Sequence, residues 1–79
     1  MARMDIEHIN CVEKERNTVH EKVYTTYTAF TNNGRRYVQF DTYGRADREN
    51  PGKISQSFQI DQETAEYLIG ILKTEFDLK

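Results

Sequence analysis

The chain is short of most things that fix a function at sight. It has 79 residues, one cysteine, one proline and no tryptophan. With Cys11 alone, no internal disulfide can form. His8, Cys11 and His20 are too scattered for metal-ligand spacing, so no metal is expected. The lone thiol suits a reducing compartment. No apolar run approaches the roughly 20 residues of a membrane span. The opening Met1-Ala2-Arg3-Met4-Asp5 lacks the apolar core of a signal peptide. These features predict a cytoplasmic protein.

Positive charge is also scarce. The formal net charge is -2, from 11 Lys and Arg against 13 Asp and Glu. A generic nucleic-acid coat would be more basic. The distribution is uneven, however. Residues 23–60 carry Arg35, Arg36, Arg45, Arg48 and Lys53 against Asp41, Asp47 and Glu49. Residues 61–79 carry Lys73 and Lys79 against Asp61, Glu63, Glu66, Glu75 and Asp77. A mildly basic sheet followed by an acidic helix is the expectation.

The length allows one domain over residues 1–79, with room for a single small core. A core of this size rarely yields more than about 3–5 kcal/mol, and such scaffolds often need a staple or a partner. With disulfide and metal excluded, oligomerisation is the remaining source of burial, and a homodimer is expected.

Residues 21–31, EKVYTTYTAFT, are rich in Val, Thr, Tyr and Phe, which suit a pleated surface. Asn32-Asn33-Gly34 follows, and Asn and Gly tolerate positive φ, so a hairpin turn is predicted. Residues 35–43 form the return strand. Two registers fit. A two-residue Asn33-Gly34 turn pairs Phe30 with Tyr37 and Tyr24 with Tyr43. A three-residue loop pairs Phe30 with Arg36 and Tyr24 with Thr42. The first is preferred because both faces become consistent: Val23, Tyr27, Ala29, Val38 and Phe40 on one, Tyr24, Phe30, Tyr37 and Tyr43 on the other.

Residues 44–52 read as a charged loop with Gly at each end. Residues 53–60 alternate as a strand: Ile54, Gln56, Phe58 and Ile60 on one face, Ser55, Ser57 and Gln59 on the other. Asp61 can cap a helix over about residues 62–76, with Glu63 in the first turn. Ala65, Leu68, Ile69, Leu72 and Phe76 form its apolar stripe, widened by Tyr67, Ile71 and Leu78. Leu68, Ile71 and Leu72 are the candidate dimer contacts. Gly70 costs about 1 kcal/mol inside a helix. Close packing on the sheet would explain it, and so would close approach of a second helix. Residues 1–20 are ambiguous. Ile6, Ile9 and Val12 recur at helical spacing, yet a small sheet needs further strands. A first strand over about residues 4–14 is expected. The predicted fold is α+β: a twisted antiparallel sheet of three to four strands closed by one C-terminal amphipathic helix.

Catalytic chemistry is hard to find. The stretch GRADRENPGK lacks phosphate-loop spacing and lies between strands. Ser55 and Ser57 have no His nearby. Asp41 and Asp47 read as solvated surface carboxylates, and so short a chain has little volume for a cleft. No enzyme and no cofactor is expected. Single-stranded nucleic-acid binding needs cations along a backbone track and flat rings for unpaired bases. Tyr24, Phe30, Arg35, Tyr37, Tyr43, Arg45, Arg48 and Lys53 supply both and are the candidate contact set. The bland alternative is a protein-interaction module, with the rings in a core or subunit interface and the arginines paired to Asp41, Asp47 and Glu49.

Residues 40–61, FDTYGRADRENPGKISQSFQID, resemble a group of short bacterial proteins of unassigned function. Some of those carry the label methionyl-tRNA formyltransferase-like, which implies an enzyme far larger than this chain. Over about residues 24–76 the layout also resembles the positive cofactor four family of transcriptional coactivators. Asp41-Thr42-Tyr43, Pro51-Gly52-Lys53, Phe58-Gln59-Ile60 and Glu63 follow in that family's order. The resemblance implies a curved four-stranded sheet plus a helix, dimerisation through the helices, and single-stranded DNA bound on the sheet. This chain departs from the family pattern in three ways. Set against that family layout, the span from Pro51 to the helix looks about two residues longer. Ser55-Gln56-Ser57 replaces a Gly-containing turn, and the net charge is acidic.

Overall fold

The computed structural model describes residues 1–44 and 52–79. Its sheet has four strands in the order β1-β4-β3-β2. The elements are β1 (Ala2–Arg3), a 3-10 turn (Ile6–His8), β2 (Thr25–Asn32), β3 (Arg35–Tyr43), β4 (Ile54–Asp61) and α1 (Gln62–Glu75). The α+β class holds, with a sheet that is mixed because β1 runs parallel to β4.

The hairpin forms around Asn33 (φ 52°) and Gly34 (φ 77°). Two consecutive positive φ values match the twist of the flanking strands, which is why an Asn-Gly pair sits there. The turn fixes the register: Asn32 faces Arg35, Phe30 faces Tyr37 and Tyr27 faces Phe40. The Tyr43 amide donates to the Tyr24 carbonyl at 3.0 Å, extending the ladder past the strand end. Both pairings of the two-residue turn are therefore present. β3 is the central strand, and β4 meets it antiparallel, with Phe58 facing Phe40 and an irregularity at Thr42/Tyr43.

The N-terminal reading needs correction. The first strand is Ala2–Arg3, not residues 4–14, and residues 9–24 carry no helix or strand. Ala2 and Arg3 pair with Phe58 and Gln59, and the Met4 amide donates to the Gln59 carbonyl at 2.9 Å. The chain then turns at Asp5, whose carboxylate meets His8 Nδ1 at 2.7 Å. That turn lies against α1. The helical spacing of Ile6, Ile9 and Val12 thus yields a single tight turn instead of a strand. β2 also begins later than expected, at Thr25.

α1 starts where β4 ends. Asp61 is the last strand residue and the helix cap, accepting from the Thr64 amide at 2.9 Å. Glu63 occupies the first turn and Lys73 the last, both favourable to the helix dipole. Asp77, at φ 52°, ends the chain's helical course. The helix does not close over the sheet. Among the described residues its main contacts are with β4 and the 3-10 turn, and a cleft of about 200 Å³ at the junction is lined by Val38, Ile60 and Ala65.

Among the described residues no hydrophobic side chain is buried; only Asp41 and Thr64 are. The radius of gyration is 14.9 Å. A compact domain of this length would have about 12 Å. Ile69, Leu72 and Phe76 stay 52%, 47% and 69% exposed along the outer stripe of α1. Among the described residues, apolar side chains are at most half-buried.

Candidate nucleic-acid interface

Strand alternation puts two different surfaces on the sheet. The first holds Tyr27, Ala29, Val38, Phe40, Phe58 and Ile60, with ring centroids 6.2 Å apart for Tyr27–Phe40 and 5.3 Å for Phe40–Phe58. The second holds Tyr24, Phe30, Tyr37 and Tyr43, the predicted ring set. There Tyr24 and Tyr43 lie 5.3 Å apart at one end, and Phe30 and Tyr37 lie 5.6 Å apart, nearly parallel, at the other. Tyr24 is 61% exposed and the other three are half-buried. Each ring keeps surface on which a base can stack.

Arg35 shares this face by register and is exposed. Arg36 falls on the other face, where it donates to the Thr31 hydroxyl at 3.3 Å. The sequence reading missed Arg3. Its guanidinium lies 5.8 Å from the Tyr37 ring centroid, and Nη1 donates to the Tyr37 hydroxyl at 3.5 Å. No local signal reveals that contact, because the parallel β1–β4 pairing creates it. Lys53 is exposed just ahead of β4, and its carbonyl accepts from the Gly44 amide at 3.2 Å. Arg45 and Arg48, together with Asp47 and Glu49, lie outside the described residues.

Between the ring pairs runs a polar row. Gln59 Nε2 donates to Gln39 Oε1 at 2.8 Å, and Gln39 Nε2 donates to Asp41 Oδ1 at 3.0 Å. The Ser57 hydroxyl donates to the same Oδ1. Asp41, expected as a solvated carboxylate, is instead 7% exposed. Hydrogen bonds from Ser57 and then Gln39 hold its carboxyl below the ordinary value of 3.8, against the smaller opposing effect of burial.

A groove of about 470 Å³ between the hairpin turn and α1 brings Arg35 and Arg36 near Glu63 and Glu66. Among the described residues the only ion pair within 4.0 Å is His8–Asp5, so neither arginine is held in a described ion pair. Of the proposed dimer contacts, Leu68 and Ile71 are half-buried within the protomer and Leu72 is exposed. A Cβ built on Gly70 would meet nothing within 4 Å, so sheet packing does not account for that glycine. Among the described residues no group of His, Cys, Asp and Glu could hold a metal ion, and no helix is long and apolar enough to cross a membrane. Compared with protein-family models, curated proteins and solved structures, the chain finds no match.

Proposed function

We propose that this chain is a non-catalytic, cytoplasmic module that binds single-stranded nucleic acid as a homodimer. One observation carries the reading: Tyr24, Phe30, Tyr37 and Tyr43 share a sheet face with Arg3 and Arg35 and keep exposed surface. Rings that offer a face to unpaired bases, beside cations that meet phosphates, are the minimum for sequence-tolerant single-strand binding. The resemblance to the positive cofactor four coactivators supports a transcriptional setting.

The dimer rests on the opposite surface. Tyr27 and the outer stripe of α1 are exposed, and Phe40 and Phe58 are only half-buried. Gly70 leaves open space on a helix that has not met a second one. A partner helix laid across that apolar face supplies the missing core.

The test is fluorescence anisotropy with a labelled oligonucleotide of about 20 nucleotides. Binding at about 50 mM salt that weakens steeply as salt rises is the expected outcome, since phosphate contacts release counterions. A folded dimer that leaves the oligonucleotide unbound removes the proposal. A second reading, a protein-interaction module without nucleic-acid binding, is favoured by the exposed Ile69, Leu72 and Phe76. A partner retained from nuclease-treated lysate, with no oligonucleotide binding, selects it.

A further inference from the structure

The polar row is unlike anything else in the molecule. In a chain whose described residues bury no apolar side chain, the one nearly buried charge sits in the middle of the proposed interface. Its neighbours on that face are Thr26, Thr28, Gln39, Ser57 and Gln59, with no apolar residue among them. A surface meant to lie under another protein layer would carry aliphatic side chains there, as the opposite face does with Val38, Phe40 and Ile60. The row is built for a polar ligand.

Its hydrogen bonds have a direction. An ionised carboxylate accepts only. Asp41 therefore draws the amide nitrogen of Gln39 towards itself, which turns the Gln39 oxygen towards Gln59. The Gln39 oxygen in turn draws the Gln59 nitrogen inward, and that nitrogen's other neighbour is Met1 Sδ at 3.7 Å. A glutamine amide is otherwise free to sit either way round. Here the charge on one strand sets the polarity of two amides across two strands. The Gln59 side-chain oxygen takes part in neither of these bonds. Both donors to Asp41 go to Oδ1, so Oδ2 takes neither. The Ser57 hydroxyl spends its proton on Asp41 and keeps its lone pairs. What these bonds leave unused along the row is a set of acceptors.

Acceptors select donors. On its Watson–Crick edge guanine offers an imino N–H beside an amino group. Thymine and uracil offer one N–H between two carbonyls, and cytosine and adenine offer an amino group beside a ring acceptor. A negatively charged acceptor row pairs with both of guanine's adjacent N–H groups, whereas each of the other bases meets it with one donor flanked by a carbonyl or a ring-nitrogen acceptor. The row repels phosphate, which leaves the backbone to Arg3 and Arg35 at the margin. From Tyr37 to Tyr43 along β3 is about 20 Å, enough for two or three splayed bases between the ring pairs.

Resting on the nucleic-acid-binding reading, we propose that the Asp41–Gln39–Gln59 row makes the interface selective for unpaired guanine. Asp41 and Gln39 are positioning residues, and Gln59, whose amide they orient, meets the base edge. The experiment uses the full wild-type chain and three labelled strands of equal length. One is all thymidine, one has isolated guanines every third position, and one replaces those guanines by inosine, which lacks only the amino group. The guanine strand should bind about 5- to 150-fold tighter than the thymidine strand, the range for a good two-bond base contact. Inosine should fall between them, and Asp41→Asn should erase the guanine preference by releasing the amide polarity. Equal binding of the guanine and thymidine strands, or of guanine and inosine, overturns the inference and leaves the binding role standing. No binding of any strand overturns the binding role itself. Should Asp41→Asn fail to fold by circular dichroism, the wild-type comparison of the three strands still decides.

Discussion

The two faces of this sheet are made by the same strands and are opposite in kind. One carries Tyr27, Ala29, Val38, Phe40, Phe58 and Ile60, a nearly unbroken apolar patch. The other alternates with it residue by residue, yet holds amides, hydroxyls and a carboxylate between two pairs of rings. Aromatic content does not separate them, since both are aromatic. What fills the gaps between rings does. Aliphatic filling loses free energy in water and calls for another protein surface. Polar filling, already hydrogen-bonded, loses little in water and can exchange with a polar ligand. The contrast teaches that rings alone do not mark a binding face.

The comparison can be broken most forcefully at Phe40, which stacks on Phe58 and touches Tyr27. If its face is the dimer core, Phe40→Ala should cost about 3–5 kcal/mol in urea unfolding, with loss of the dimer in sedimentation. A loss below about 1 kcal/mol would put that face in water. On the opposite face, Tyr43→Ala should weaken single-strand binding by about 1–3 kcal/mol and leave the dimer intact. A melting temperature that collapses along with affinity would make the ring structural.

Smaller effects sharpen the picture at the sheet–helix junction. The nearby Thr64 side chain, and then the Thr64 amide that donates at 2.9 Å, hold the Asp61 carboxyl below the ordinary 3.8, with a lesser push from Arg3. The Thr64 hydroxyl reaches no well-formed hydrogen bond of its own. A carboxyl lowered in the folded state stabilises fully above its unfolded value and loses that contribution as pH falls through the folded one. Stability should therefore hold down to about pH 4 and fall below it. Asp61→Ala should cost about 1 kcal/mol at neutral pH, while Asp61→Asn keeps the cap and flattens the acid-side decline. Asp41, lowered in the same sense, should keep part of the acid-side decline in Asp61→Asn. Least of all, Gly70→Ala adds up to about 1 kcal/mol of helix propensity. In an isolated protomer that is pure gain, because the new methyl meets nothing. If a partner helix crosses there, thermal melts should instead become more dependent on protein concentration.

The hairpin, β4 and α1 were legible because their signals are local. Asn33-Gly34 demands a tight turn, alternation marks the strands, and Asp61 ahead of the Ala65–Leu68–Leu72 stripe marks the helix. The face shared by Tyr24, Phe30, Tyr37 and Tyr43 followed from that turn. The first strand was illegible because Ala2 and Arg3 are extended only through their pairing with Phe58 and Gln59. The position of Arg3 over Tyr37 was hidden for the same reason. Asp41 read as solvated because its partner Ser57 is 16 residues away and arrives only with the β3–β4 register. The helix was expected to cover the sheet, but it follows β4 directly at Asp61 and makes its main contacts with β4 and the 3-10 turn.

β2 forms one border of the sheet, and its run TTYTAFTN has neither a charge nor a proline. Natural sheets usually place such gatekeepers at a border, because unpaired amides and carbonyls there template another strand. Covering the apolar face does nothing to shield this margin. Each assembled particle would carry a sticky rim at both extremities, so slow growth into filaments in concentrated stocks is the storage hazard to expect. A single lysine on the rim would be the simplest remedy.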